Sequence, residues 1–396
     1  MNILLFDGPE RDDLLPLTFT RPVADLRCGI LTLREKWEKR SGLTTTTLTE
    51  EYLSAKWPAV EAEDNILVNG AACVNDELYE AVTHLAVGQV LHAKGDEEEP
   101  GPVLAVRASI DALEEGALEE MESVEFEGEY VHIQFPWDLF RNNGEELERD
   151  FELLTNGRES APISTSNTLI GDRVFLEEGA SVEASILNST AGPIYVGTDA
   201  TIMEGCIVRG GLALCDHATL KMGAKIYGPS TFGPHCKVGG EVNNSIMIGY
   251  SNKGHDGFLG NSVIGEWCNL GADTNNSNLK NNYAEVKVWN YPAGRFIPTG
   301  LQFCGLIMGD HSKSGINTMF NTGTVVGVSS NIFGGGFPRT FIPSFSWGGS
   351  GGMTQFKLAK AEEVATKMME RRGLSYDEVE QGIMQEVYKM TFPKEE

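Results

Sequence analysis

The chain has 396 residues, 41% hydrophobic and 22% charged, enough for two or three packed domains at about 150 residues each. Its net charge of −26 argues against nucleic acid and anionic membranes as partners, because no basic stripe exists to release counterions. Seven cysteines, an odd number without a CxxC pair, give no disulfide framework and fit a reducing cytoplasm. MNILLFDG lacks the basic start and apolar core of a signal peptide, and no run of about 18 apolar residues predicts a transmembrane helix.

Residues 1–160 read as an α/β domain. A short apolar strand over 2–6 ends in Asp7-Gly8. Residues 30–40 are predicted as a helix with Ile30, Leu33 and Trp37 on one stripe. Strands are expected at 66–68, ending in Asn69-Gly70, and at 103–106, and their alternation with helices predicts a parallel sheet. The acidic runs at 96–99 and 114–129 read as solvated faces or loop. Residues 137–154 form a helical connector, and 155–166, rich in Gly, Pro, Ser and Thr, form a linker.

Beyond the linker a new period takes over. Val196, Ile202, Val208, Leu214, Leu220, Ile226, Phe232 and Val238 place an apolar residue at every sixth position, eight times in succession. If about a third of positions carry such residues, this arises by chance on the order of once in several thousand. Neither 3.6 nor 2 explains the spacing; a parallel β-helix with about 18 residues per coil does. The coil is expected over 165–350, starting near Asn167, interrupted by an irregular segment at 273–298, where solenoids often carry a site, and closed by 334–338 and 347–352. Residues 353–396 hold helices at 357–372 and 376–390 that cap the coil or pack beside it, since open β-helix ends are adhesive edges.

Within the coil, the densest polar cluster runs from Ser251 to Gly260. Corners of such a repeat take small or aliphatic residues, and His255 breaks that rule. An imidazole titrating near pH 6.5 suits a general base for an amine or hydroxyl nucleophile, and a hydrogen-bonded corner histidine is the structural alternative.

Ser251-Asn252-Lys253-Gly254-His255, followed by Phe258-Leu259-Gly260, Ile264-Gly265 and Asn269-Leu270-Gly271-Ala272, resembles the acetyltransferase half of the bacterial bifunctional N-acetylglucosamine-1-phosphate uridylyltransferase family. LLPLTFTRPVADLRCGILTLREKWE near the start and GDHSKSGINTMFNTGTVVG near the end extend the resemblance over nearly the whole chain, as in divergent relatives described as sugar nucleotidyltransferases. The resemblance implies a nucleotidyltransferase-like α/β domain, a left-handed parallel β-helix of hexapeptide repeats, C-terminal helices, and a homotrimer holding acetyl-CoA between subunits. It implies His255 as catalytic base, with Lys253, Asn243 or Asn244, and Asn278 or Tyr283 near the substrate, and His311, Ser312 and Lys313 meeting acetyl-CoA from a neighbouring subunit.

The departures from that pattern are specific. Phe258 stands where the family has a tyrosine, and Asn243 or Asn244 where it has a lysine. The glycine-rich phosphate loop is replaced by Phe6-Asp7-Gly8-Pro9-Glu10-Arg11-Asp12-Asp13, leaving Arg11, Arg21, Arg27 and Lys36 as the nearby cations for phosphate. Ala71 occupies the position of the Mg²⁺-binding aspartate, with Asp7 the nearest substitute. Three functions follow: acyl transfer from acetyl-CoA to an amino sugar phosphate by the coil; nucleotidyl transfer from an NTP to a sugar phosphate by the first domain; or a non-catalytic sugar-nucleotide scaffold or sensor.

Overall fold

The computed structural model describes residues 2–95, 100–109 and 121–392. They form two compact units, one of residues 1–11, 21–26 and 31–134, the other of residues 12–20, 27–30 and 135–396. In this division the helix Pro136–Thr155 and two short N-terminal segments group with the coil.

The first unit is built on a six-stranded sheet in the order Thr46–Leu48, Asn2–Phe6, Asn65–Asn69, Val103–Ala108, Gln89–Ala93, Glu122–Phe126. The three leading strands are parallel, but Val103–Ala108 runs antiparallel to both neighbours, so the sheet is mixed. The stretch between Ala93 and Val103 is too short for a crossover helix, and a short connection forces antiparallel pairing. Ile3, Leu5, Ile66, Val68, Leu91 and Leu104 fill one side of the sheet with Trp37, Leu78 and Val82 from helices. The predicted helix at 30–40 begins later, at Leu33, because Thr32 caps it and forms a capping box with Glu35. The acidic run at 96–99 and the start of that at 114–129 lie outside the described residues. The remainder is a solvated edge strand, Glu122–Phe126, whose exposed Glu122 and Glu125 discourage further pairing, followed by non-strand residues at 127–129.

In the second unit, short strands stack into a parallel β-solenoid with three faces. One face holds nine strands, from Val174–Leu176 to Phe341–Ile342; a second holds ten, from Ser181–Val182 to Gly352–Gln355; a third holds six, from Thr168–Ile170 to Phe258–Gly260. All eight hexad positions lie in one continuous core and are at most 1% exposed. They stack in columns, Val196 on Leu214 on Phe232, Ile202 on Leu220 on Val238, and Val208 on Ile226. Fully burying such side chains contributes about 1.5–3 kcal/mol each. Of the linker expected at 155–166, Thr155 ends the preceding helix and the rest is tied to the coil, since Ala161 N–H donates to the Leu176 carbonyl and both Ala161 and Ile163 pack on the core.

Between the first and second faces, one corner residue per coil has a positive φ: Asp199, His217, His235, Tyr250, Trp267, His311, Ser329 and Phe345, at 51–60°. Five of them are rings in a row, with centroid spacings of 4.7, 4.8, 4.4 and 6.2 Å from His217 to His311. The left-handed backbone is costly for non-glycine residues and is held here by the stack and the core behind it.

The interruption expected at 273–298 leaves the coil slightly later. Asn275–Asn276 still pairs with Met319–Phe320, after which Lys287–Asn290 and Arg295–Pro298 form an antiparallel hairpin. That hairpin lays Trp289 on the Phe341 ring at 4.2 Å. At the far end, Ser346–Gly349 turns back on Gly352–Gln355 in an antiparallel pair. The helices Leu358–Glu370 and Glu378–Thr391 then pack beside the coil, where Tyr388 meets Phe345 edge-on at 4.9 Å and Met384 Sδ lies 3.5 Å from Ser329 Oγ.

Candidate functional site

His255 lies in the turn at 254–257, between the strands Asn252–Lys253 and Phe258–Gly260. Its ring is exposed and has no hydrogen-bond partner among the described residues. The N–H groups of Gly254, His255 and Asp256 are likewise unspent there. The glycines are required by crowding: a Cβ at Gly257 (φ 118°) would collide with the Thr274 carbonyl, and one at Gly240 (φ 74°) would lie 2.9 Å from the His255 carbonyl.

Two adjoining cavities meet at this turn, of about 600 and 700 Å³, and share Lys221, Gly254, His255, Ala272 and Ile316. The first extends along the coil to the end of the Leu358–Glu370 helix. Lys221 and Lys237 come from successive coils, Arg371 and Arg372 from the helix end, Tyr250 and Trp267 from the ring stack, and Met368 and Ile316 form an apolar rim. Met368 lines this cavity, while Met369 is the buried contact of the helix, one position later than the sequence pattern places it.

The four cations have no ion pair among the described residues. Arg372 Nη2 reaches only the His235 carbonyl at 3.3 Å and Asn252 Oδ1 at 3.4 Å. Burial lowers the pKa of Lys237, and Arg372, Lys221 and Arg371 lower it further by repulsion. His235 is lowered by burial, then by His217 and Arg372. A concave surface with mutually repelling cations stabilises an anion that enters it.

The structure sorts the other residues singled out in the sequence. Lys253 points into the coil: it is 1% exposed, stacked on Val238, and donates from Nζ to the carbonyls of Gly239 at 3.0 Å and His255 at 2.8 Å. It is therefore an interior residue rather than a surface substrate contact, because its column is the inward one. Asn243 lies on the third face opposite Gly260, and the residue opposite Phe258 is Glu241, with Lys225 one coil below. Glu241 accepts from Tyr227 Oη at 2.6 Å. Asn278 donates to Asn261 Oδ1 at 2.8 Å beside Gly260 and the Phe258 ring, whereas Tyr283 stands exposed in the inserted segment. His311 continues the ring stack and is buried; Ser312 is fully buried and donates to the Gly327 carbonyl at 2.6 Å. Lys313 is half-buried, donates to the His311 carbonyl at 2.7 Å, and burial pushes its pKa down to about 8.

In the first unit, the strand ends at Phe6 and Asn69 carry a separate polar cluster. Asp7 accepts from Val23 N–H at 2.8 Å and Thr49 Oγ1 at 2.5 Å, and lies 3.5 Å from Arg11. Burial raises its pKa despite these partners. Arg11 also donates to Tyr52 Oη at 2.6 Å. Glu10 Oε1 is 2.7 Å from His132 Nε2 and 3.2 Å from Asn69 Nδ2, and its other oxygen fills the space where a Cβ on Gly8 would be. Ala71 is buried and donates its N–H to Asn69 Oδ1 at 2.8 Å. Asp7 is committed to protein donors, whereas Glu10 Oε2 is buried without a hydrogen-bond partner, and no group of three metal-ligating side chains exists among the described residues. Arg21 and Lys36 are buried in this unit, and Arg27, in the second unit, turns its guanidinium to the Ile30 carbonyl.

Lys221, Lys237, Arg371 and Arg372 were missed by the sequence reading. The available signal was a pair of arginines ending a helix in a strongly acidic chain. All seven cysteines are buried thiols. No described helix is long and apolar enough to cross a membrane.

Residues 3–159 match a protein-family model described as sugar nucleotidyl transferase. The match ends before the first strand of the coil, Thr168–Ile170, so this part of the chain is similar to sugar nucleotidyl transferases and the coil lies beyond it. No curated protein matches the chain.

Proposed function

We propose that this chain is a transferase of sugar-nucleotide biosynthesis whose coil moves an acyl group from acetyl-CoA to the amine of an amino sugar phosphate. The observation that carries the reading is the exposed His255 imidazole standing between two cavities, one of them lined by four unpaired cations. The amine nitrogen attacks the thioester carbonyl, His255 takes the proton the amine loses, the C–S bond breaks, and the proton passes to the departing thiolate. The unspent N–H groups of the turn are donors suited to the oxyanion that develops. Phosphates of the donor neutralise Lys221, Lys237, Arg371 and Arg372. Assembly as a homotrimer in the cytoplasm belongs to the same proposal.

A second reading is sugar-1-phosphate nucleotidyl transfer by the N-terminal part, favoured by its family match. With no group of three metal-ligating side chains among the described residues, no step through Mg²⁺ is assigned to that part; pyrophosphate release from an NTP and a sugar-1-phosphate tests it directly.

The primary test measures thiol release from acetyl-CoA with glucosamine-1-phosphate for the wild type and His255→Ala. A general base contributes about 10²–10⁴ in rate, and a loss of that size is expected. Unchanged turnover in the variant overturns the role of His255. Ligand binding without turnover on any amino sugar phosphate favours the scaffold alternative.

A further inference from the structure

A lysine in the inward column of a β-solenoid requires a reason. Lys253 follows Val182, Ile202, Leu220 and Val238 in that column and is 1% exposed. A charge placed there loses its hydration, at a cost well above that of an apolar residue. Its ammonium is also not spent on an ion pair within 4.0 Å among the described residues. Both hydrogen bonds go to backbone carbonyls, Gly239 in one coil and His255 in the next.

Those carbonyls belong to successive turns on the same edge of the coil. Neither accepts any other hydrogen bond from the described residues. In the turn at 254–257 two of the four residues are glycines, the Asp256 and Gly257 carbonyls accept from Asp273 N–H at 3.0 Å and Glu241 N–H at 3.3 Å, and the Gly254, His255 and Asp256 N–H groups and the His255 ring have no hydrogen-bond partner among the described residues. At His255 itself, Lys253 Nζ is the backbone's hydrogen-bond partner among the described residues, and it ties that carbonyl to Gly239 in the coil below.

We infer that Lys253 is a positioning residue, an internal ammonium staple that joins the Gly239 and His255 carbonyls and so sets the direction in which the His255 imidazole enters the cavities. The inference rests on the proposed role of His255 for its catalytic consequence, but the staple itself has a readout that needs no activity. Asp256 and Asp273 lie near enough to favour the charged ammonium, and burial opposes it.

The experiment compares wild type, Lys253→Met and Lys253→Gln by amide hydrogen exchange and by kinetics. In Lys253→Met, exchange of the Glu241 and Asp273 amides, which donate to the Gly257 and Asp256 carbonyls of the turn, is expected to rise about tenfold or more, while Ile246–Gly249 stays protected. With acetyl-CoA and glucosamine-1-phosphate, kcat is expected to fall about 10–100-fold, with KM for acetyl-CoA within about twofold. Lys253→Gln, which keeps N–H donors, recovers part of both. Unchanged exchange at the Glu241 and Asp273 amides overturns the staple whatever the kinetics show. Raised exchange in a chain whose wild type releases no thiol leaves the staple standing and removes the acyl-transfer reading instead. Should neither variant fold, ¹⁵N NMR of the wild type decides: a protected Lys253 ammonium is expected, and one exchanging freely with solvent overturns the inference.

Discussion

Two sets of cations in this protein have opposite surroundings. Arg11, in the first unit, is buried against Tyr52 Oη and the Asp7 carboxylate, with Glu50 at 3.8 Å. Lys221, Lys237, Arg371 and Arg372, in the second, line a cavity, where burial and then Arg372, Lys221 and Arg371 lower the pKa of Lys237. A cation that already holds a carboxylate supports the fold. Four cations that repel one another across an open space lower the stability of the empty protein and become favourable when an anion arrives. Sign and spacing of neighbours, more than the presence of basic residues, separate the two roles.

The comparison can be broken first at Arg11. Arg11→Met leaves the buried Asp7 carboxylate without its cation, which typically costs about 3–5 kcal/mol, and chemical denaturation should show that loss. A stability close to wild type would mean that Arg11 is not structural.

Lys253 is the intermediate case, a cation held by carbonyls alone, and pH exposes it. Its pKa is pushed down to about 8 by burial, below the ordinary lysine value. Between about pH 8 and pH 10 the unfolded chain then binds more protons at this site, so the penalty of the buried charge is relieved as pH rises. Wild type should gain stability relative to Lys253→Met by up to about 1.4 kcal/mol per pH unit in that window. The difference between the two proteins is the quantity to measure, because Cys236, Cys268 and Cys304, whose thiols burial pushes up to about 12, titrate with the opposite sign in both. A gap that does not change with pH would contradict the buried ammonium.

In the cavity the expected loss is of affinity. Reversing Arg371 and Arg372 to glutamate should weaken acetyl-CoA binding about 10–100-fold by titration calorimetry, and the wild-type affinity should fall as salt is raised. Binding unaffected by either change would place the donor elsewhere. Lys237→Met should show the smallest effect, a neutral or slightly raised thermal midpoint, within about 0.5 kcal/mol, because it relieves repulsion. A clear destabilisation would show that Lys237 supports the fold as Arg11 does.

The coil was legible because one period fixes one column: every predicted hexad position faces inward. Lys253 was not, because the period breaks there. Leu220 stacks on Val238 at a spacing of 238 − 220 = 18 residues, but Val238 stacks on Lys253 at 253 − 238 = 15. Counting by sixes from Val238 passes over Lys253, so a polar motif read as surface turned one member into the core. His255 was legible as an exception to the repeat. Its cationic surroundings were not, since Arg371 and Arg372 reach the coil only through the packing of a helix more than a hundred residues later. The first unit shows the complementary limit: strand positions follow from apolar runs, but the antiparallel turn of Val103–Ala108 depends on connection length and pairing.

The antiparallel turn at the end of the second face carries one more consequence. A stack of parallel rungs has no intrinsic length, since each new rung offers the next the same row of donors and acceptors. Gly352–Gln355 occupies that row in the reverse direction against Ser346–Gly349. A neighbouring molecule arriving with a parallel rung finds the template on this face already used. The hairpin thus ends the parallel series of rungs on this face.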